Sequence, residues 1–212
     1  MPDETPAPER ELASPGWDAI DAALVAVYGP APHQHVSYEP VAGEATNLAG
    51  CAAHDAGDHW HLVTYGLSEL WEKQPTSHPD YSGWGLELTM RVPRADGDTQ
   101  APGWAFTILN AMGRHVQATR AIPLAGHRID LGRPVTGHPD VPDAPATGLT
   151  AFAVVEDPQL GVIDTPNGRL AFHQLVGITE AERAEMVATS TDAVLARLAA
   201  ASPLLVTDPA RA

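Results

Sequence analysis

The residues with the clearest chemical potential in this sequence are two histidines on either side of a tryptophan, His59-Trp60-His61. Side chains alternate between the two faces of a β-strand, so on a strand both imidazoles point one way and the indole points the other. Metal sites use His-x-His pairs of this kind. A catalytic zinc, however, takes three protein ligands and keeps one position open. A metal-assisted hydrolase built on His59 and His61 is therefore one hypothesis, and it depends on a third ligand.

The local sequence does not supply that third ligand. Glu69 comes eight residues after His61, beyond a glycine, and the other histidines are scattered through the chain. They are His33, His35, His54, His78, His115, His127, His138 and His173. We therefore favour a structural role, with Trp60 packed in the core and both imidazoles hydrogen-bonded to backbone groups at the start of the strand. This interpretation predicts no bound metal and no cofactor.

Other catalytic arrangements have less support. Cys51 and His54 are close enough in sequence to suggest a Cys-His nucleophile, but a cysteine beside alanines is more typical of a small buried hydrophobe. Glu156 and Asp157 form a carboxylate pair at a predicted strand end, and a turn before Pro158 explains them without catalysis. The sequence contains no phosphate-binding glycine loop, no serine nucleophile elbow and no zinc-protease helix motif. We therefore expect a protein that is not an enzyme.

Charge narrows the possible partners. The 212 residues carry a formal net charge of −15, and Lys73 is the single lysine. Such a field repels nucleic acid and anionic membranes and attracts basic proteins. The N-terminus lacks the features of a secretory signal, and no apolar run reaches the roughly 18 residues of a membrane helix. We expect a soluble cytoplasmic protein, with a disordered acidic lead at residues 1–13 and one domain at residues 14–212.

Periodicity predicts an α+β fold, a mixed β-sheet with helices packed against it. The predicted helices begin at Ser14-Pro15, at Pro102 and at a Thr179–Glu182 capping box, the last continuing as one helix past Leu198. The predicted strands are HWHLVTYG, LELTMRV, HRIDL, LTAFAVVED, RLAFHQLVGI and LLVTD. In LELTMRV, apolar residues alternate with Glu87, Thr89 and Arg91, which predicts one buried face and one solvent-exposed face.

Four stretches occur in an order and spacing typical of one known family. They are DHWHLVTYGLSELW, SGWGLELTMRV, VVEDPQLGVIDTPNGRLAFHQLVGIT and LLVTDPAR. They resemble the landmarks of the suppressor of fused family, and the similarity runs from about Trp17 to Arg211. The resemblance implies an α+β fold and a protein-binding role. It assigns a set of motif residues to the fold and not to a reaction: His59, Trp60, His61, Trp84, Glu156, Asp157 and Pro158.

The resemblance also implies a kind of partner. In the family's eukaryotic members the domain sequesters a Gli-type transcription factor, and a second, C-terminal domain closes over the bound peptide. That second domain is absent from this sequence, which suggests a bacterial single-domain relative. Such relatives are thought to act in part as immunity proteins that neutralise toxins, so we expect an immunity protein or another adaptor.

The partner peptide of the family lies in a cleft as an added strand, and the corresponding segment here is GHRIDL, residues 126–131. The candidate partner-binding residues are His115, Gly126, His127, Arg128, Ile129 and Asp130. An ordinary edge strand, blunted by the charges of Arg128 and Asp130, is the alternative. We expect an acidic surface around this edge to attract a basic partner, such as a toxin domain. We also expect Ile129→Pro to weaken binding with the fold intact.

Overall fold

The computed structural model describes residues 13–39 and 48–211, so all but the last residue of the predicted acidic lead lies outside the described residues. The helices and strands of the described chain follow one another without regular alternation. In order they are α1 (Pro15–Tyr28), β1 (Gln34–Ser37), β2 (Gly50–Asp55), β3 (His59–Tyr65), β4 (Tyr81–Pro93), α2 (Gly103–Thr119), β5 (Arg128–Asp130), β6 (Leu149–Glu156), β7 (Val162–Thr165), β8 (Gly168–Thr179), α3 (Glu180–Ala188) and α4 (Thr191–Ala201).

The strands of the described chain form one mixed sheet in the order β1-β2-β3-β4-β8-β6-β5, and β7 pairs with the first residues of β8. Strands β4 and β8 are parallel, and every other pairing is antiparallel. The predicted α+β class with a mixed sheet is confirmed. In this order β5 is the last strand at one end of the sheet, and β1 is the last strand at the other.

The helices cover the two faces of the sheet differently. Helix α2 packs on one face over the main core, in which Trp60, Leu62 and Leu88 from the sheet meet Leu109 from the helix. On the other face, α1 covers one region and the α3–α4 pair covers another. Within the described ranges, no helix combines the length and apolarity that a membrane crossing requires.

The prediction that β4 has one buried face and one exposed face is wrong. Its apolar residues are buried as expected, but Glu87, Thr89 and Arg91 are also fully buried. Alternation of apolar and polar residues indicates which residues share a face, but it does not indicate whether the polar face is exposed to solvent. Here the polar side chains are covered because the sheet carries helices on both sides.

Strand β2 was not predicted. Its sequence, GCAAHD, contains no β-branched residue, so intrinsic preference gives little strand signal. The segment is extended because it pairs with β1 on one side and β3 on the other. Tertiary pairing decides its conformation.

Three further predictions about the helices and the C-terminus need correction. Ser14 makes no side-chain cap hydrogen bond, although Pro15 begins α1 as expected. The capping box of Thr179 and Glu182 is present, but the predicted last helix is two helices, because the Ser190 side chain caps a new start at α4. LLVTD forms no strand, since Leu205 has a positive φ of 52° that interrupts an extended backbone.

Candidate functional site

The His59-Trp60-His61 stretch lies on β3, and its side chains divide between the two faces of the sheet. Trp60 joins the main core beneath α2 and is only 5% exposed. His59 and His61 are buried on the opposite face. The prediction that both imidazoles bond to backbone groups is wrong, because each bonds to side chains. The His59 ring donates from Nδ1 to the Asp58 carboxylate at 2.6 Å.

His61 joins two segments that are distant in sequence. Its Nδ1 lies 2.7 Å from the hydroxyl of Tyr28 at the end of α1, and its Nε2 lies 3.0 Å from a carboxylate oxygen of Asp157. Burial raises the pKa of Tyr28 to about 12, so its hydroxyl keeps its proton and donates. Burial lowers the pKa of His61 to about 4, so the ring is neutral and donates from Nε2 to Asp157.

Asp157 is the hub of this buried polar cluster. Arg91 holds its carboxylate with two hydrogen bonds of 2.7 and 3.1 Å, and Thr89 donates a third of 2.7 Å. Backbone N–H groups of Gln159 and Leu160 donate to the same carboxylate and close the turn after β6. Burial favours the protonated form, but hydrogen bonds from His61 and Arg91 outweigh it and hold the pKa of Asp157 below its usual value. The cluster therefore fixes α1, β3, β4 and this turn relative to one another.

Glu156 and Asp157 do not act as a carboxylate pair. Glu156 is exposed at the end of β6, whereas Asp157 is buried in the cluster. Pro158 lies in the turn, as predicted. Their neighbouring positions in the sequence place the two carboxylates in opposite environments, so they share no site.

The geometry gives little support to the Cys-His nucleophile hypothesis or to the metal-site hypothesis. Cys51 points into the main core, where burial raises the pKa of its thiol, while His54 on the same strand contacts the rings of Tyr28 and His33. Both ring nitrogens of His61 already have hydrogen-bond partners. In the part of the chain that the structure describes, no three His, Cys, Asp or Glu residues come together as a metal site.

A different feature, the open edge of the sheet at β5 (Arg128–Asp130), has binding potential. On the inner side of this strand, Val154 N–H donates to the carbonyl of His127 at 2.9 Å, and Leu131 N–H donates to Thr150 at 3.1 Å. Hydrogen-bonded and non-bonded pairs alternate along an antiparallel ladder. Every second residue of this segment therefore turns its main-chain groups toward β6.

Ile129 is the strand residue whose main-chain N–H and C=O groups point toward β6, because it lies midway between the two flanking hydrogen bonds. The main-chain N–H and C=O groups of Arg128 and Asp130 point outward from the edge of the sheet, away from β6. No main-chain hydrogen bond joins these two residues to any described segment outside the sheet. β5 thus presents an unpaired edge of the kind to which a further strand can add.

An apolar groove lies between this edge and α2, and we call it the edge groove. It consists of two adjoining hollows of about 290 and 190 Å³, which share Met112, His115 and Ile129 on their walls. Arg128, His127 and Asp130 also line it, so five of the six candidate residues come together here. Gly126 lies at the start of the strand and does not line either hollow.

The expected acidic surface is not found on the walls of the edge groove. The charged side chains that line it are those of Arg128, Asp130 and Arg133, and Asp130 lies 3.6 Å from Arg183. Net charge belongs to the whole chain and does not fix the charge at one edge. The described walls of the groove therefore carry two positive side chains and one negative side chain.

The comparisons with known proteins agree with this architecture. The family model of the suppressor of fused protein matches residues 44–212. The chain belongs to the suppressor of fused family. The human suppressor of fused homolog is 28% identical over 194 residues, and the match covers 86% of this chain and 37% of the relative. The mouse homolog is 27% identical with the same coverage. The chain thus spans little more than a third of these curated relatives.

Solved suppressor of fused structures share the fold. The crystal structure of a Sufu–Fu complex aligns with a TM-score of 0.80 at 26% identity, over 94% of this chain and 92% of that one. Drosophila Suppressor of Fused aligns with a TM-score of 0.83 at 25% identity, over 98% of this chain and 53% of its own. A suppressor of fused homolog from Neisseria gonorrhoeae aligns at 0.57 with 15% identity, over 93% and 95% of the two chains, which shows the fold alone.

Sequence reasoning missed the residues that organise this suppressor of fused domain from within. Arg91 was expected at the surface, yet it is fully buried against Asp157. Glu87 was also expected at the surface, and its buried carboxylate accepts five hydrogen bonds from Thr64, Gly66, Leu67 and Ser68. The available signal was the alternation in β4, which placed Glu87, Thr89 and Arg91 together without showing what covers them.

Proposed function

We propose that this chain is a non-enzymatic protein-binding domain that holds a segment of its partner as an added strand along β5. The observation that carries the proposal is the unpaired main chain of Arg128 and Asp130 beside the edge groove. Each of these residues offers one N–H donor and one C=O acceptor to an incoming strand. The edge strand would supply affinity through main-chain bonds that do not depend on the partner's sequence.

The edge groove would supply selectivity. Alternate side chains of an added strand point to the same face of the sheet, so every second side chain of the partner would point into the groove beside α2. Met112 and Ile129 provide apolar walls, and His115, shared by both hollows, provides a polar group. We expect the bound segment to be short and extended, with at least one apolar side chain.

The non-enzymatic part of the proposal is supported by the state of the candidate catalytic groups. The His61 ring is committed to Tyr28 and Asp157, and the Cys51 thiol is buried in apolar surroundings. Among residues 13–39 and 48–211, the hydrolase hypothesis finds no third ligand for the histidine pair. A relative with this fold has been crystallised in a Sufu–Fu complex, which supports a role in binding a protein.

We further propose that binding neutralises or sequesters the partner by occlusion, as in an immunity protein of a bacterial toxin system or an adaptor. The net charge of −15 favours a basic partner, such as a toxin domain. Because a toxin must be held stoichiometrically, an open sheet edge suits the task better than a catalytic cleft would.

The proposal is tested by Arg128→Pro, with Arg128→Ala as the matched control. Proline removes the outward N–H of residue 128 while leaving the β6 ladder paired, and edge strands tolerate proline. Alanine removes the same side chain, including its hydrogen bond to Thr191, but keeps the N–H. With a partner isolated on the wild-type chain, we expect the proline variant to lose about tenfold in affinity, the value of one main-chain hydrogen bond. The alanine variant should stay within about twofold.

Ile129→Pro is not a suitable test of the edge, contrary to the expectation from the sequence. The N–H of Ile129 faces β6, so proline there breaks the ladder and is expected to destabilise the fold. Equal affinity of the wild-type and Arg128→Pro proteins, with no protection of residues 126–131 from hydrogen exchange on binding, would move the binding surface away from β5.

A further inference from the structure

A second surface lies on the other side of the last turns of α2, and it has a different chemistry. An open pocket of about 510 Å³ is formed by the connection between β3 and β4, the start of β4 and Gln117 of α2. Its walls include Trp71, Trp84, Glu69 and Glu72, and we call it the tryptophan pocket. No function considered so far uses these residues.

The described walls of the tryptophan pocket are acidic. Glu69 and Glu72 contribute carboxylates, and no arginine or lysine is among its described lining residues. Lys73 is adjacent in sequence, but its ammonium group is bonded to the carbonyl oxygens of Pro79, Tyr81 and Asn167. The single lysine of the chain is therefore used to hold the loop and does not neutralise the carboxylates.

The polar atoms of the pocket wall need donors. Glu69 Oε2 and Gln117 Oε1 are buried and accept no hydrogen bond from the described residues. The amide of Gln117 has a fixed orientation, since its Nε2 donates to the carbonyl of Gly66 at 3.3 Å. A buried acceptor without a donor is costly, so a group that brings N–H donors into the pocket would gain free energy.

The indole rings favour the same kind of ligand. Trp71 is 48% exposed, which leaves much of a large aromatic surface open to solvent, and Trp84 packs partly against the main core. The face of an indole attracts cations, and tryptophan does so more strongly than tyrosine or phenylalanine. A planar guanidinium group can stack on such a face while its N–H groups donate to carboxylates.

The pocket wall is held in place before any ligand arrives. Asn167 donates from its side-chain amide to the carbonyls of Glu69 and Trp71, at 2.7 and 2.6 Å. The N–H groups of Gly16 and Trp17, at the start of α1, both donate to Leu70. Gly16 is required at this contact, because a Cβ there would lie 2.0 Å from the carbonyl oxygen of Glu69. Little ordering cost therefore remains for binding.

We infer that the tryptophan pocket binds an arginine side chain of a basic partner protein. The guanidinium stacks on Trp71 or Trp84 and donates to Glu69 and Glu72. This deepens the proposed function by giving the charge of the partner a recognition site. The site does not depend on the edge groove, so each can fail without the other. Both surfaces include residues from the last turns of α2, so one partner can reach both.

The test uses N-acetyl-arginine amide as the probe and N-acetyl-citrulline amide as its neutral counterpart of nearly the same shape. The readout is the indole N–H signals in a nitrogen–proton correlation spectrum, and the chain has five tryptophans. We expect the signals of Trp71 and Trp84 to shift with the arginine probe, while those of Trp17, Trp60 and Trp104 serve as internal references. The citrulline probe should bind at least about tenfold more weakly.

Two variants locate the effect. Trp71→Ala removes an exposed side chain without disturbing the core, and it should weaken the arginine probe by about three- to thirtyfold, the range of one cation–π contact. Glu69→Gln should weaken it by about tenfold through loss of charge. Asp96→Asn removes the same unit of charge from an exposed turn outside the pocket, and it should change binding by less than about twofold.

Several results would overturn the inference. Equal binding of the citrulline probe would make the pocket an uncharged aromatic site. Equal shifts of all five indole signals would show nonspecific association. An absence of shifts at Trp71 and Trp84 up to the solubility limit of the probe would show that no cation binds there. By contrast, loss of partner binding in Arg128→Pro with normal probe binding would support the inference, because it would show that the pocket binds the cation independently of the edge.

Discussion

The edge groove and the tryptophan pocket lie on two sides of the same helix end, and they offer a partner different groups. The edge groove offers main-chain hydrogen bonds, apolar walls and a slight excess of positive charge from Arg128, Asp130 and Arg133. The tryptophan pocket offers two indoles and two carboxylates, with no arginine or lysine among the described residues that line it. The first suits the shape of an extended strand, and the second suits a positive charge. Recognition of a basic partner therefore need not depend on the strand that binds it.

The two surfaces also differ in how firmly they are built. Strand β5 has three residues, and it is held by one neighbouring strand and by surface contacts of Arg128 and Asp130. The wall of the tryptophan pocket is fixed from within by Glu87 and Asn167. An edge with few supports can adjust to a partner, whereas a preorganised pocket selects one.

Trp60→Ala should have the largest effect and should damage both surfaces alike. The indole is buried in the main core beneath α2, the helix that both surfaces share. Emptying a large aromatic site costs about 3–5 kcal/mol in the free energy of unfolding, which urea denaturation would measure. Trp71→Ala, at a half-exposed ring, is the control and should leave the midpoint nearly unchanged. A normal midpoint for Trp60→Ala would show that the core packs differently from this description.

Acid should also affect both surfaces, because it should lower the free energy of unfolding of the whole domain. The pKa of His61 is near 4 in the folded protein because the ring is buried, and it is about 6.5 in an unfolded chain. The folded state therefore disfavours the protonated ring. The stability that this provides is complete above pH 6.5 and is lost as the pH falls from there through 4, on the order of 3 kcal/mol. The pKa of His54 is lowered to about 4 in the same way, so its contribution has the same sign.

Urea midpoints at pH 7, 5.5 and 4.5 would check this dependence. His61→Gln, which cannot gain a proton in this range, should have a shallower decline than the wild-type protein. A wild-type midpoint that is constant between pH 7 and 5 would show that neither histidine loses a proton on folding. Because His54 and His61 line neither surface, the loss of stability that these two histidines cause should not favour one surface over the other.

Sequence patterns predicted the strands with strong alternation or long apolar runs and missed the one that depends on its neighbours. Strand β3 and strand β8 carry β-branched and aromatic residues, and both lie where the pattern placed them. Strand β2 has none, and only pairing with β1 and β3 makes it extended. Burial of Arg91 was also out of reach, since its partner Asp157 lies 66 residues further along the chain.

The candidate site was also predicted only in part. The resemblance to the suppressor of fused family located residues 126–131, and the structure shows that this segment is a sheet edge. Which main-chain groups are free there depends on the register with β6, which the sequence of the edge does not contain. The tryptophan pocket was not predicted, because its walls come from the connection between β3 and β4, from the start of β4 and from Gln117, more than thirty residues away on α2. Trp71 and Trp84 lie in two of the stretches that carry the family resemblance, but neither stretch predicted a pocket, and only folding brings these residues together.

Glu87→Gln should have the smallest effect on stability and should separate the two surfaces. The buried carboxylate of Glu87 accepts from the N–H groups of Gly66, Leu67 and Ser68 and from the hydroxyl groups of Ser68 and Thr64. Burial raises the pKa of Glu87, and these donors oppose that shift by stabilising the ionised form. Glutamine keeps the shape and one acceptor oxygen but places an amide donor against another donor, at a cost of about 1–3 kcal/mol.

The consequence should be local, because the donors to Glu87 belong to the segment that forms one wall of the tryptophan pocket. In Glu87→Gln we expect weaker binding of N-acetyl-arginine amide, while the hydrogen exchange of residues 126–131 stays as in the wild-type protein. Glu156→Gln, which removes the same charge from an exposed strand end, is the matched control and should change neither measurement. If Glu87→Gln altered both surfaces to the same extent, the pocket and the edge would have to be described as one coupled site. If it altered the pocket alone, a single partner would be held by two independent contacts whose free energies add.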